Sequence, residues 1–134
     1  MEPQLDESGA AGLVFHSELL AREPKCIILH FSGYLHHHTS SSLKKYVTSF
    51  IEGGNTRLIL ELSKMQLSGM SRKPLDDFIS LISFAKMNKA RIVCIGMDKR
   101  MFETLSLLGF DRFLYFANDI SSGLKLVLDE TIWC

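Results

Sequence analysis

Hydrophobic residues occur along this chain in short blocks, and their spacing alternates between two patterns. Continuous apolar segments at Cys26–Phe31, Leu58–Leu62 and Arg91–Gly96 are typical of strands buried within a sheet. Leu13–Leu20 fits a first strand, and Phe113–Phe116 fits a short strand at the sheet edge. The pattern therefore predicts a sheet of four to five strands, with Gly33 expected to end the second.

Between these strands, apolar residues recur at steps of three and four, which indicates helices with one buried face. The first is predicted over Ser40–Glu52, with Thr39 as its capping residue and Gly53–Gly54 as its end. Three more apolar faces follow, marked by Leu75, Phe78, Ile79 and Ile82, by Met101, Leu105 and Leu108, and by Ile120, Leu124, Val127 and Leu128. Helices and strands alternate after an opening hairpin, so we expect an α/β fold with a mixed sheet and about four helices.

The composition limits the classes of function. The 134 residues fit one domain, predicted at 13–130 between tails at 1–12 and 131–134. Fifteen basic and fifteen acidic residues balance, which gives no support for nucleic-acid binding. Three cysteines without a C-x-x-C spacing favour free thiols and a cytoplasmic location. The apolar runs are too short for direct membrane insertion.

Motifs for catalysis are missing from the sequence. It contains no G-x-S-x-G, no phosphate-binding loop and no G-x-G-x-x-G, so we predict a non-enzymatic protein without a cofactor. Within the triple histidine His36–His38, His36 and His38 could share one face of a metal site, and His16 or His30 could join them from a neighbouring strand. The preferred interpretation is a solvated loop before a helix, with no metal.

The order of elements resembles that of the STAS domain, the fold of bacterial anti-sigma factor antagonists and of sulfate-transporter tails. The resemblance covers about Leu13–Asp129. Its best local matches are Gly33-x-Leu35, Leu60–Ser63 in place of the family's D-L-S, and Leu107–Phe113 before the last helix. It implies a single STAS-like domain in a bacterial signalling pathway that regulates transcription.

The resemblance also implies a partner and a binding surface. In that family, a serine in the loop after the D-L-S strand is phosphorylated by a kinase that is also the anti-sigma factor. The expected partner is therefore an anti-sigma factor or serine kinase of the histidine-kinase-like ATPase type, and a homodimer also stays open. The expected contact residues lie in the 33–38 and 68–73 loops: Gly33, Tyr34, His36, Gly69, Met70, Ser71, Arg72 and Lys73.

The chain departs from the family at the phosphorylated position. Counting forward from Leu60–Ser63 puts Met70 there, and counting back from Arg91–Gly96 puts Arg72 there. Neither count gives a serine, so the loop is interpreted as a binding surface without the usual phosphoserine switch.

Two nearby serines and two other functions remain open. Ser71 and Ser68 are candidate phosphoacceptors if the loop bends differently. One alternative function is a constitutive STAS subunit of a lipid-transport ATP-binding-cassette complex, which the degenerate loop favours. The other is a STAS domain that binds a nucleotide or another small ligand.

Overall fold

The protein is described by a computed structural model covering residues 12–133, so the tail predicted at 1–12 lies, apart from Gly12, outside the described residues. Its sheet has the order β1-β2-β3-β4-β5, with β1 antiparallel to β2 and the other neighbours parallel. The strands are β1 Leu13–Arg22, β2 Lys25–Leu35, β3 Arg57–Leu67, β4 Arg91–Ile95 and β5 Tyr115–Ala117. The predicted mixed α/β sheet is confirmed.

Helices follow the parallel strands as the apolar spacing predicted. They are α1 Ser40–Glu52, α2 Lys73–Met87, α3 Lys99–Leu107 and α4 Ile120–Leu128, with a 3₁₀ turn at Phe110–Phe113. None of the helices in the described range is long and apolar enough to cross a membrane.

The sheet separates two hydrophobic layers. Alternate residues of the central strands point to opposite faces, as the pleat requires. Leu29 and Leu60 pack with α1, α2 and α3 through Leu43, Phe78 and Met101. The other face is smaller and is covered by α4, and its buried residues are Cys26, Ile28, Ile59, Val93, Ile95 and Val127.

Two strands run further than their apolar cores predict. β2 does not end at Gly33 but continues to Leu35, and β3 continues past Leu62 to Leu67. The two extensions pair with each other, from Ser32 opposite Lys64 to Leu35 opposite Leu67. Gly33 does not end the strand. It has a φ of 108°, and a Cβ there would lie 2.5 Å from the carbonyl oxygen of Gly12. The position therefore favours glycine because of its backbone conformation and this close contact.

The first helix begins differently from the prediction. Thr39 precedes α1, but its side chain makes no cap to the helix. Its hydroxyl instead donates to the Tyr34 carbonyl at 2.8 Å and accepts from the His36 amide at 3.0 Å. The threonine therefore folds the β2–α1 loop back on itself.

The segment predicted as a C-terminal tail contacts the domain within its described part. The Trp133 indole donates to the Leu126 carbonyl at 2.8 Å, and its ring packs edge-on against Tyr115. Tyr115 in turn donates through its hydroxyl to the Ile132 carbonyl at 3.0 Å. These contacts fasten residues 132 and 133 beside the edge strand β5.

Candidate functional site

The two loops singled out from the sequence meet at the carboxyl-terminal end of the parallel strands. β2 and β3 are parallel, so both loops leave the sheet at its carboxyl-terminal end. The Ser68 amide donates to the Leu35 carbonyl at 2.9 Å, which joins the loops where they leave the sheet. The His37 ring nitrogen Nδ1 lies 3.2 Å from Ser71 Oγ. We call residues 33–38 together with 68–73 the loop face.

The predicted contact residues differ in how far they reach solvent. Met70 is fully exposed in the 68–73 loop, and Tyr34, which pairs with Gln66 of β3, is exposed as well. His36, in contrast, is only 8% exposed, and its Nδ1 accepts a hydrogen bond from the His38 amide at 3.0 Å. The histidines exposed on this surface are therefore His37 and His38, whereas His36 is buried.

The start of α2 lies within the loop face. Arg72 precedes the helix and makes no side-chain cap, while Ser71 Oγ accepts from the Lys73 amide at 3.1 Å. Arg72 pairs with Asp76 through Nε at 3.1 Å. The start of α2 therefore presents the exposed Arg72 guanidinium beside the Ser71 hydroxyl, a pair that can contact an acidic or polar partner surface.

A partly buried group of polar side chains holds the loop face to the rest of the domain. Lys73 Nζ donates to Asp77 Oδ2 at 2.6 Å and contacts the hydroxyls of Ser40 at 3.3 Å and Ser41 at 2.5 Å. Ser40 also donates to Asp77 at 2.6 Å. We call these four residues the polar clamp, because it links the start of α1 to the start of α2.

The polar clamp fixes the charge of its carboxylate. Burial raises the pKa of Asp77, but the hydrogen bonds from Lys73 and Ser40 and the charges of Lys73 and Lys44 together outweigh it. The pKa of Asp77 is therefore held below its ordinary value, and the carboxylate stays ionised at neutral pH. Lys73, which forms the ion pair with Asp77, was predicted to contact a partner protein. Its ammonium group instead faces the domain.

Sequence reasoning missed a cationic residue beside the loop face. Arg100, in the first turn of α3, donates through Nη2 to the Leu67 carbonyl at 3.1 Å. A small hollow of about 90 Å³ separates α3 from the loop face, lined by Leu67, Ser71, Pro74, Leu75, Arg100, Met101 and Thr104. The topology alone could have indicated this contact, because helices that follow parallel strands all begin at the same edge of the sheet.

The residues matching the family's D-L-S border a second, wider hollow at the same edge. The Glu61 carboxylate accepts from the Ser63 amide at 2.7 Å and from the Ser63 hydroxyl at 2.5 Å. The hollow of about 600 Å³ continues to the start of α4, where Asp119 caps the helix by accepting from the Ser122 amide. Its carboxylates are thus engaged in local turns.

Metal binding gains no support from the histidines. The rings of His36, His37 and His38 contact one another edge to face. His16 and His30 stack on each other at 4.6 Å, and His30 pairs with Glu18. Among residues 12–133, no group of three or more histidine, cysteine, aspartate or glutamate side chains is arranged to hold a metal ion.

Solved structures of anti-sigma factor antagonists share this fold. The phosphorylated form of SpoIIAA, a Bacillus cell fate determinant, has a TM-score of 0.64 and 15% identity, covering 84% of this chain and 99% of that one. An anti-sigma factor antagonist from Mycobacterium paratuberculosis has a TM-score of 0.64 and 13% identity, covering 87% and 96%. Moorella thermoacetica RsbS, with a serine-to-glutamate substitution, has a TM-score of 0.59 and 18% identity, covering 76% and 86%.

At these identities the structural likeness establishes the fold and no more. Comparison with curated protein sequences gives no match. The family model of the STAS domain, however, matches residues 18–123, which is most of the chain. The sequence match and the sheet topology agree, and the chain belongs to the STAS domain family.

Proposed function

We propose that this chain is a non-enzymatic interaction module that binds an anti-sigma factor, or a related serine kinase of the histidine-kinase-like ATPase type, through the loop face. The observation that carries the proposal is the fully exposed Met70, presented by two loops that hydrogen bonds hold together. The names of the structural relatives, which describe anti-sigma factor antagonists, support this partner class.

An exposed methionine at a loop tip is well suited to protein contact. Its side chain is flexible and polarizable, so it adapts to an apolar pocket on a partner. Tyr34 lies on the same face, and Arg72 and Arg100 add cationic groups near it. Tyrosine and arginine are enriched among the residues that contribute most to binding at protein interfaces.

We propose further that binding does not depend on the family's phosphoserine switch. The residue preceding α2 is Arg72, which carries no hydroxyl. Of the two candidate acceptors, Ser71 is the better placed, because its oxygen lies at the first turn of α2, where the helix dipole favours a phosphate. That hydroxyl already accepts from the Lys73 amide and lies beside His37.

The binding surface is tested by a pull-down from the native cell with wild type, Met70→Asp and Met87→Asp. Met87 is the matched control, since it is also an exposed methionine but lies at the far end of α2. Burying a methionine contributes about 1.5–3 kcal/mol, so Met70→Asp should weaken binding of the captured partner by at least about tenfold. Met87→Asp should bind like wild type, and equal capture by all three proteins would remove the loop face from the proposal.

The absence of a switch is tested separately by mass spectrometry of the native protein under several growth conditions. We expect no phosphate on Ser71 or Ser68. A phosphopeptide at either serine would contradict constitutive binding but would leave the binding surface intact.

The identity of the captured protein decides between partner classes. A kinase or anti-sigma factor supports the leading proposal. An ATP-binding-cassette ATPase would instead favour a constitutive transporter subunit, an alternative supported by the cation in place of serine at Arg72. Light scattering of the purified chain completes the comparison, since a dimer lost in Met70→Asp would mean that the loop face binds a second copy.

A further inference from the structure

A third concave surface lies at the opposite end of α2 from the loop face. It is a hollow of about 300 Å³ between the end of α2, the 3₁₀ turn, β5 and the C-terminal segment. Its lining combines three cationic and three aromatic side chains: Lys86, Lys89, Arg112, Phe113, Tyr115 and Trp133, with Ala90 and Ile132 between them. We call it the basic–aromatic pocket.

Within the described residues, the three cations of the basic–aromatic pocket form no ion pair. No carboxylate within residues 12–133 lies at ion-pair distance from Lys86, Lys89 or Arg112, and none lines the pocket. The Lys86 ammonium lies 3.8 Å from the centroid of the Phe113 ring, and the Arg112 guanidinium lies 5.9 Å from it. Three positive charges around one hollow, with no carboxylate among its lining residues, attract an anion, although the chain as a whole is neutral.

The aromatic wall is held in place before any ligand binds. Hydrogen bonds from Trp133 to the Leu126 carbonyl and from Tyr115 to the Ile132 carbonyl fix the C-terminal segment to α4 and to β5. The Trp133 and Tyr115 rings meet at 61° with centroids 4.6 Å apart. A fixed wall lowers the entropy that binding would otherwise cost.

We propose that the basic–aromatic pocket binds a small aromatic molecule that carries a phosphate or carboxylate group. The ring would lie against Trp133 and Phe113, and the anionic group would meet Arg112, Lys86 and Lys89. The volume is at the lower end of the range of about 300–1,000 Å³ typical of small-molecule sites. This site is distant from the loop face, so the proposal does not rest on the proposed partner.

The test uses the indole N–H NMR signal of Trp133, the only tryptophan in the chain. The full chain is titrated with phenyl phosphate and phenylacetate, and with inorganic phosphate and phenol as the two halves of the ligand. We expect a saturable shift with at least one aromatic anion, and binding of each half at least about tenfold weaker, because neither half contacts both walls. The two aromatic anions distinguish a phosphate from a carboxylate ligand.

Variants then locate the site. Arg112→Gln combined with Lys89→Gln should weaken binding at least about tenfold, since both remove charge-assisted contacts from exposed positions. Lys45→Gln, which removes an exposed charge on α1, should bind like wild type, and so should Met70→Asp. If the double variant melts below the wild-type temperature, each single variant provides the same comparison.

Three results would overturn the assignment. One is the absence of a saturable shift with either aromatic anion. Another is equal binding by wild type and the charge variants. A shift produced only by an acidic, phenylalanine-containing peptide would also reject the small-molecule ligand, and would make the pocket a protein contact.

Discussion

The polar clamp predicts that two adjacent carboxylates of α2 contribute very differently to stability. Asp76 and Asp77 each form an ion pair with the residue four positions earlier, Arg72 and Lys73 respectively. The Asp77 side chain is 16% exposed and that of Lys73 is 34% exposed, whereas Asp76 and Arg72 are 58% and 70% exposed. Asp77→Asn keeps the shape of the side chain but removes its charge.

The magnitude follows from this difference in exposure. Hydrogen bonds to a charged group contribute about 1.5–3 kcal/mol when well shielded, while exposed pairs at this spacing contribute about 0.3–0.5 kcal/mol. Asp77 accepts from both Lys73 and Ser40, and is mostly but not fully buried. We therefore expect Asp77→Asn to lower the free energy of unfolding by about 1–2 kcal/mol, and Asp76→Asn to lower it by less than about 0.5 kcal/mol.

Urea unfolding at a series of pH values measures both effects. The pKa of Asp77 in the folded protein lies below its ordinary value of 3.8, so its stabilising effect is fully present above that pH. It is lost as the pH falls from 3.8 through the folded-state pKa, where the carboxylate becomes protonated. The difference between wild type and Asp77→Asn should thus stay constant from neutral pH down to about 4 and shrink below it.

Two observations would refute the reasoning. An equal loss in the free energy of unfolding for Asp76→Asn and Asp77→Asn would mean that the lower exposure of the polar clamp adds nothing to stability. A difference for Asp77→Asn that fell steadily between neutral pH and about 5 would mean that its pKa is raised, contrary to the effect of Lys73 and Ser40.

Two further predictions concern the glycines and cysteines. Gly96→Ala should destabilise by roughly 2–3 kcal/mol in urea unfolding, because φ is +71° and a Cβ would lie 2.6 Å from backbone of β3. Gly54→Ala, with φ of +93° and open space, should cost only about 1 kcal/mol, and an equal loss would disprove the steric argument. Burial raises the pKa of Cys26 to about 11 and of Cys94 to about 12, so with Cys134 replaced by serine neither should react with iodoacetamide at about pH 8 until urea is added. Labelling of the folded chain, seen as added mass, would contradict their burial.

Most of the fold was predictable because its helices and central strands follow their hydrophobic spacing. α1 begins at Ser40 and ends at Glu52, the predicted bounds, since its apolar residues recur regularly and glycine follows it. The ends of β2 and β3 were not predictable from this pattern. Beyond Leu62 the strand alternates exposed Lys64 and Gln66 with buried Met65, too few residues for a clear period of two.

The candidate site was predictable as a pair of loops but not as a set of contacts. The order of the elements indicated which loops lie together at the carboxyl-terminal end of the sheet. The hydrogen bonds from Ser40 to Asp77 and between His37 and Ser71 join residues 37 and 34 positions apart. Neither bond leaves a local pattern in the sequence, because the first depends on how α1 packs against α2 and the second on how the loops before these helices meet. Lys73 shows the consequence, since its exposed-looking position conceals an ammonium group that bonds inward.

The two ways of counting to the family's phosphoserine can now be compared on physical grounds. A forward count from Leu60 crosses an irregularity, because β3 advances three residues from Glu61 to Lys64 while β2 advances two. A backward count crosses only the regular helix α2 and the turn before β4. The backward count is therefore the safer one, and it puts Arg72 at the start of α2. A cation there is opposed to the positive end of the helix dipole, whereas a phosphate would be favoured. Under that count a cation stands where the family carries a phosphate, and this is the main physical reason why we propose binding without phosphorylation.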